Sequence, residues 1–181
     1  AAPARRIAAA NLPHFPGSEG NALTVAALED DDEAVQAIAT RQIRGRGIPD
    51  ALSLLVTKTE SSFQIVREAA QESLGEFHFE RFAAAFEVLS HEMKSTTGRL
   101  VRRADPDAIP KLLAELESGS RMKRMRGLQI AVAIEAVDDI VEHIVERLSD
   151  DDHFVRAEAA KALGSCTGSV AKNALRDALL D

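Results

Sequence analysis

A motif that returns along the chain limits its fold more than any single residue does. LSDDDHFVRAEAAKALG begins at Leu148, and LEDDDEAVQAIATRQI, beginning at Leu28, overlays it through the leucine, the aspartates and Val35 on Val155. VREAAQESLG from Val66 overlays VRAEAAKALG from Val155, placing Arg67 on Arg156, Ala70 on Ala159, Leu74 on Leu163 and Gly75 on Gly164. The step is about 30 residues, the length of one helical repeat. One step before Val155 the spacing points to Met125-Arg126 within SRMKRMRGLQIAVAI, where Gly127 and Gln129 fit imperfectly. A further step back lies a divergent copy near Thr96-Thr97, which keeps Leu100 and Ala104 but lacks the Val-Arg pair.

Each copy reads as two helices. Ile109, Leu112, Leu113 and Leu116 in one first helix, and Ile140, Val141, Ile144 and Leu148 in another, recur at the three- and four-residue spacing of a buried helical stripe. A polar break follows. Its aspartates suit a helix N-cap, where a carboxylate accepts from free backbone N–H groups and favours the helix dipole. That recurrence favours capping over a calcium loop for Asp30-Asp31-Asp32 and Asp150-Asp151-Asp152. The second helix then carries small alanines that permit close approach, and Gly75 and Gly164 are expected at the left-handed position that ends it. One pair cannot bury its own stripe, so neighbouring pairs must stack.

Composition agrees with helices. Among 181 residues there is no Trp or Tyr and there are only seven Phe, while Ala, Leu, Val and Ile dominate; sheets draw more heavily on aromatic side chains. Phe79, Phe82 and Phe86, with Phe77 on the same helix, are expected to face the core. A single cysteine, Cys166, excludes an internal disulfide framework and reads as a small apolar filler. No apolar run approaches the roughly 18 residues of a membrane span. Ala1 to Ala10 lacks the apolar core of a signal peptide, and the start without Met is read as that of a trimmed or partial chain. A cytoplasmic location is the expectation.

The pattern L-x-D-x-D-x-x-V-R-x-x-A-A-x-A-L-G resembles HEAT repeats, in the short bacterial form also found in phycobilin lyases. It is closest at Leu148–Gly164, good at Val66–Gly75 and partial at Leu28–Ile43. The resemblance implies an all-α fold, a right-handed α-solenoid of about five HEAT-like helix pairs. It also implies that Asp151, Asp152, Arg67 and Arg156 join one unit to the next. Residues 1–20, with Pro3, Pro13 and Pro16, are expected to form a short helix followed by the loop PHFPGSEG. Residues 21–181 are expected to form the array, which stops in mid-repeat.

No catalytic pattern stands out. His91-Glu92 opens like a zinc-protease helix, but Ser95 occupies the position of the second histidine. Asp139, Glu142, His143 and Glu146 share a helical turn and read as a solvated acidic face. No cofactor and no metal ligand is assigned. Charge is the informative feature: Lys94 to Arg126 carries nine basic and four acidic residues in a chain of net charge −7. Arg99, Arg102, Arg103, Arg121, Lys123, Arg124 and Arg126 are expected to lie on neighbouring second helices as a basic stripe for a partner. The resulting reading is a non-catalytic protein-interaction or scaffolding module whose partner is an acidic segment or helix of another protein. The alternatives are a bilin-lyase-like or other cofactor-handling protein, and nucleic-acid or phosphate binding through the stripe. Nucleic acid is disfavoured by the acidic total and by the missing Trp and Tyr.

Overall fold

A computed structural model describes residues 2–180, and every regular element in them is helical. They form two compact units, one ending at Glu76 and the other beginning at Phe77.

The first unit contains α1 (Ala2–Asn11), α2 (Ser18–Ala27), α3 (Glu33–Gln42), α4 (Ala51–Lys58) and α5 (Gln64–Ser73). α2–α3 and α4–α5 are first-and-second helix pairs, and α3 packs between α1 and α5. α1 thus lies along α3 in the way that α3 lies along α5. Small residues allow this approach: Ala37, Ala39, Ala69 and Ala70 are buried on the facing helices beside Val35 and Val66. The expected loop before α2 is shorter than the sequence suggests, because that helix already starts at Ser18.

The second unit contains α6 (Phe79–Ala85), α7 (His91–Ala104), α8 (Ala108–Leu116), α9 (Arg121–Ala133), α10 (Val141–Glu146), α11 (His153–Leu163) and α12 (Ser169–Asp177). α6–α7, α8–α9 and α10–α11 are pairs, and α12 packs on α10 and α11. Leu112, Leu116, Leu128, Ile130, Ile134, Ile144 and Leu163 are fully buried in one core, each contributing about 1.5–3 kcal/mol relative to exposure. Phe79, Phe82 and Phe86 join that core as expected, Phe82 and Phe86 meeting edge to face at 5.3 Å. They do not share one helix: Phe77 precedes α6, and Phe86 opens a short 3-10 turn after it.

The glycine expectation is corrected. Gly164 has φ −62°, and Gly75 is not among the glycines of positive φ. After Gly164 the chain continues in a right-handed turn, Ser165 N–H donating to Ala162 and Cys166 N–H to Leu163, so no left-handed residue is required. That conformation falls instead on Glu135, φ 56°, at the end of α9. There Ala136 N–H donates to Ala131 O at 2.8 Å and closes the helix.

Candidate functional site

The aspartate triplets are caps and connectors at once. Asp32 accepts from Ala34 and Val35 N–H at the start of α3, and Asp152 accepts from Phe154 and Val155 N–H at the start of α11. Two residues earlier, Asp30 and Asp150 each accept from the backbone N–H of that capping aspartate, at 2.8 and 3.0 Å. At the fourth residue of the second helix a long polar side chain reaches back to the carbonyl six residues before it. Gln36 does so to Asp30, Arg67 to Ser61, Arg124 to Ser118 and Arg156 to Asp150. The repeated Arg of this unit is therefore Arg124, and the expected alignment of Met125-Arg126 with Val155-Arg156 is two residues off. Ser120 caps α9 by position, and counting from the cap, rather than from the Val-Arg pair, gives the correct register.

Guanidiniums of a preceding helix clasp the same triplets. Arg5 and Arg6 of α1 make bidentate bonds to Asp30 and Asp32 at 2.7–3.1 Å. Arg124 of α9 holds Asp150 at 2.8 Å and Asp151 at 2.7 Å, and Arg121 lies 3.5 Å from Asp152. The bond from Arg6, with the two cap N–H groups, lowers the Asp32 carboxyl to a pKa of about 2. Burial pushes Asp105 upward, but donation from Phe79 N–H, Lys111 and Asp107 N–H outweighs it and the net shift is downward.

The seven basic residues expected as one stripe fall into two groups. Arg124 is 8% exposed and is taken up by the connector. Arg126 makes a bidentate pair with Glu115 at 2.7–3.0 Å. Arg121 also lies 5.6 Å from the Phe154 ring centroid, and Lys123 is exposed. All four sit in the first two turns of α9. Arg99, Arg102 and Arg103 instead meet the far end of that helix. Arg99 lies 3.5 Å from Glu135, Arg102 holds Asp139 at 2.7 Å, and Arg103 is exposed.

The two groups are separated by the length of α9, about 20 Å at 1.5 Å per residue. The cause is an axial offset. Gly98, eighth residue of α7, packs against Ala133, thirteenth of α9, where a Cβ would stand 2.3 Å from the Ala133 carbonyl oxygen. α7 is therefore advanced along α9 by about 7.5 Å, five residues of rise. Its last turn, with Arg102 and Arg103, lies beyond the end of its neighbour.

Two depressions follow from this offset. One, of 430 Å3, crosses the second helices α7, α9 and α11, with His91 and Lys94, then Gln129 and Val132, then Glu158 and Lys161. Its floor includes Phe86, over whose ring the Lys94 ammonium sits 4.2 Å from the centroid. The other, of 490 Å3, lies further along α7, between Thr96, Arg99, Arg102 and Arg103 on one side and Ile134 and Glu135 on the other. Lys94, Gln129 and Lys161 are not marked by the sequence pattern as site residues. Gln129 and Lys161 both stand nine residues past their caps, Ser120 and Asp152, a coincidence readable once the caps are aligned.

Cys166 packs against the core and donates its S–H to Asp138 at 2.6 Å. That bond pushes the thiol pKa up, the reverse of an activated nucleophile. Among the described residues no three His, Cys, Asp or Glu side chains are grouped to hold a metal ion, and no helix is long and apolar enough to cross a membrane.

Stacked two-helix units, two of them capped and clasped through aspartate connectors, define an all-α helical-repeat protein of the solenoid class. A family model described as HEAT repeats matches residues 20–105, and the chain is a HEAT-like helical repeat protein. No curated protein matches it. The copy that most closely fits the repeat pattern, Leu148–Gly164, lies outside the matched residues, yet its cap and back-bonded arginine repeat the geometry at Asp32 and Gln36.

Proposed function

We propose that this chain is a non-catalytic protein-interaction or scaffolding module, and that the second-helix face of its second unit receives an acidic segment or helix of another protein. Proteins of HEAT repeats generally serve in protein interaction. The observation that carries the reading is the 430 Å3 groove across α7, α9 and α11, which combines an apolar floor with Lys94 and Lys161 at its sides. An apolar side chain flanked by carboxylates is complementary to such a groove. Arg99, Arg103, Arg121 and Lys123 supply further exposed positive charge on α7 and α9. Arg102, Arg124 and Arg126 act through the carboxylates they hold, so charge reversal there tests folding more than binding.

The test is affinity capture with the wild type and with the Lys94→Glu/Lys161→Glu variant, followed by direct titration of the captured segment. Loss of a specific acidic partner by the variant, at unchanged thermal stability, is the expected result. Capture of the same set by both proteins would remove the groove from the function.

A further inference from the structure

We infer that the groove across α7, α9 and α11 takes its acidic segment in extended form, and that Gln129 grips the main chain of that segment. The inference rests on the interaction reading and adds to it the partner's backbone conformation and the residue that selects it.

Gln129 is the ninth residue of α9, which packs against both α7 and α11. It therefore stands on the middle helix of the groove, with Lys94 on one neighbour and Lys161 on the other. The residue is half-buried, and Val132 and Ala133, one turn further on, line the same groove. Its side-chain amide has no hydrogen-bond partner among the described residues. Gln36 and Gln42 of α3 differ: each donates from Nε2 to a main-chain carbonyl, of Asp30 at 2.6 Å and of Ala9 at 2.9 Å.

A segment bound in the groove covers the Gln129 amide and removes it from water. The covered amide then needs an acceptor for its NH2 group and a donor for its carbonyl oxygen, and an unmet need weakens binding. A carboxylate of the partner offers acceptors alone. A helix has its main-chain N–H and C=O groups bonded to each other, so it presents side chains only. An extended segment leaves both groups of a residue free on one side, the arrangement that pairs strands in a sheet. One such residue satisfies both ends of the amide.

The charges on either side fit the same occupant. The Lys94 ammonium faces the Phe86 ring at 4.2 Å. The Lys161 side chain is 77% exposed and lies 3.5 Å from Glu158, a surface contact that water already weakens. Packed helices stand about 8–10 Å apart, which is about three residues of extended chain at roughly 3.3 Å each. Carboxylates about three residues to either side of the gripped residue therefore reach the two ammoniums.

The probe is a peptide of about seven residues, capped at both termini, with Glu at each end and Val at the centre. It is titrated into the full chain and followed by NMR, reading the backbone amides and the side-chain NH2 of Gln129. Shifts of that NH2 and of amides in α7, α9 and α11 are expected. N-methylation of the central Val should weaken binding about tenfold, and so should Gln129→Leu, the scale of one hydrogen bond. In the Gln129→Leu chain the methylated and unmethylated peptides should bind alike. The thermal midpoint of that variant should stay unchanged, because the amide holds nothing in the free chain. Equal binding by wild type and Gln129→Leu, or tighter binding of a helix-stapled peptide of the same charges, overturns the extended grip and leaves the groove standing. Binding that needs Gln129 but is indifferent to Lys94→Glu/Lys161→Glu supports the grip and removes the acidic character of the partner. Absence of shifts with both the extended and the stapled peptide overturns the groove and the grip together.

Discussion

At the scale of single residues, Asp32 and Glu135 show how much rides on one backbone position. Asp32 titrates at about 2 in the folded chain against an ordinary 3.8. A carboxyl whose folded pKa is depressed stabilises the fold fully above its unfolded value and loses that contribution as pH falls through the folded one. Thermal unfolding followed from pH 5 to pH 2 should therefore show a falling midpoint below about pH 4, and Asp32→Asn should flatten part of the fall. An unchanged slope in that variant would mean that Arg6 does not hold this carboxylate in solution. Glu135 sits at φ 56°, where a side chain is strained. Its pair with Arg99 is exposed and contributes little. Glu135→Gly is expected to stabilise the chain by roughly 0.5–1 kcal/mol in urea unfolding, and a loss of stability would contradict the strain. Nothing in the sequence announces this residue, because the left-handed turn arises from how α9 meets the chain that follows it.

Among elements, the connector between second helices is the unit of stability. Arg124 and Asp150 are both nearly buried, with side-chain exposures of 9% and 3%. Removing Arg124 leaves the buried Asp150 with only Arg147 at 3.7 Å and the Asp152 N–H at 3.0 Å, so Arg124→Ala should cost about 3 kcal/mol in urea unfolding. Exposed Lys123→Ala should stay within about 0.5 kcal/mol. Equal effects of the two substitutions would show that the clasp contributes nothing.

Much of this level was legible. The recurring triplets gave the caps, and the small residues gave the close faces of α3, α5 and α11. Register within α9 was not legible from the Val-Arg pair, since Lys123 stands at the valine position and Gly127 at the alanine position. The polar cap is the more constant feature here, because it answers unsatisfied N–H groups that every helix start shares, while the apolar positions vary with the neighbour they fill.

For the molecule as a whole, charge distribution rather than total charge governs association. The chain is −7 overall, so an acidic partner is repelled at long range and attracted only near α7 and α9. Binding of an acidic segment should weaken by about tenfold between 50 and 500 mM salt, with most of the change in the association rate. Affinity indifferent to salt would place the binding energy in the apolar floor instead. Composition revealed the local basic excess, but not its division into two groups. That division depends on the axial slip of α7, which no linear count of charges contains. Gly98 fixes the slip by letting the two backbones come close at Ala133. A rod braced most closely at one point tilts about that point as a lever about its fulcrum. His91 and Lys94 lie on one arm and Arg99 to Arg103 on the other, so spreading the helices at one end draws them together at the opposite end.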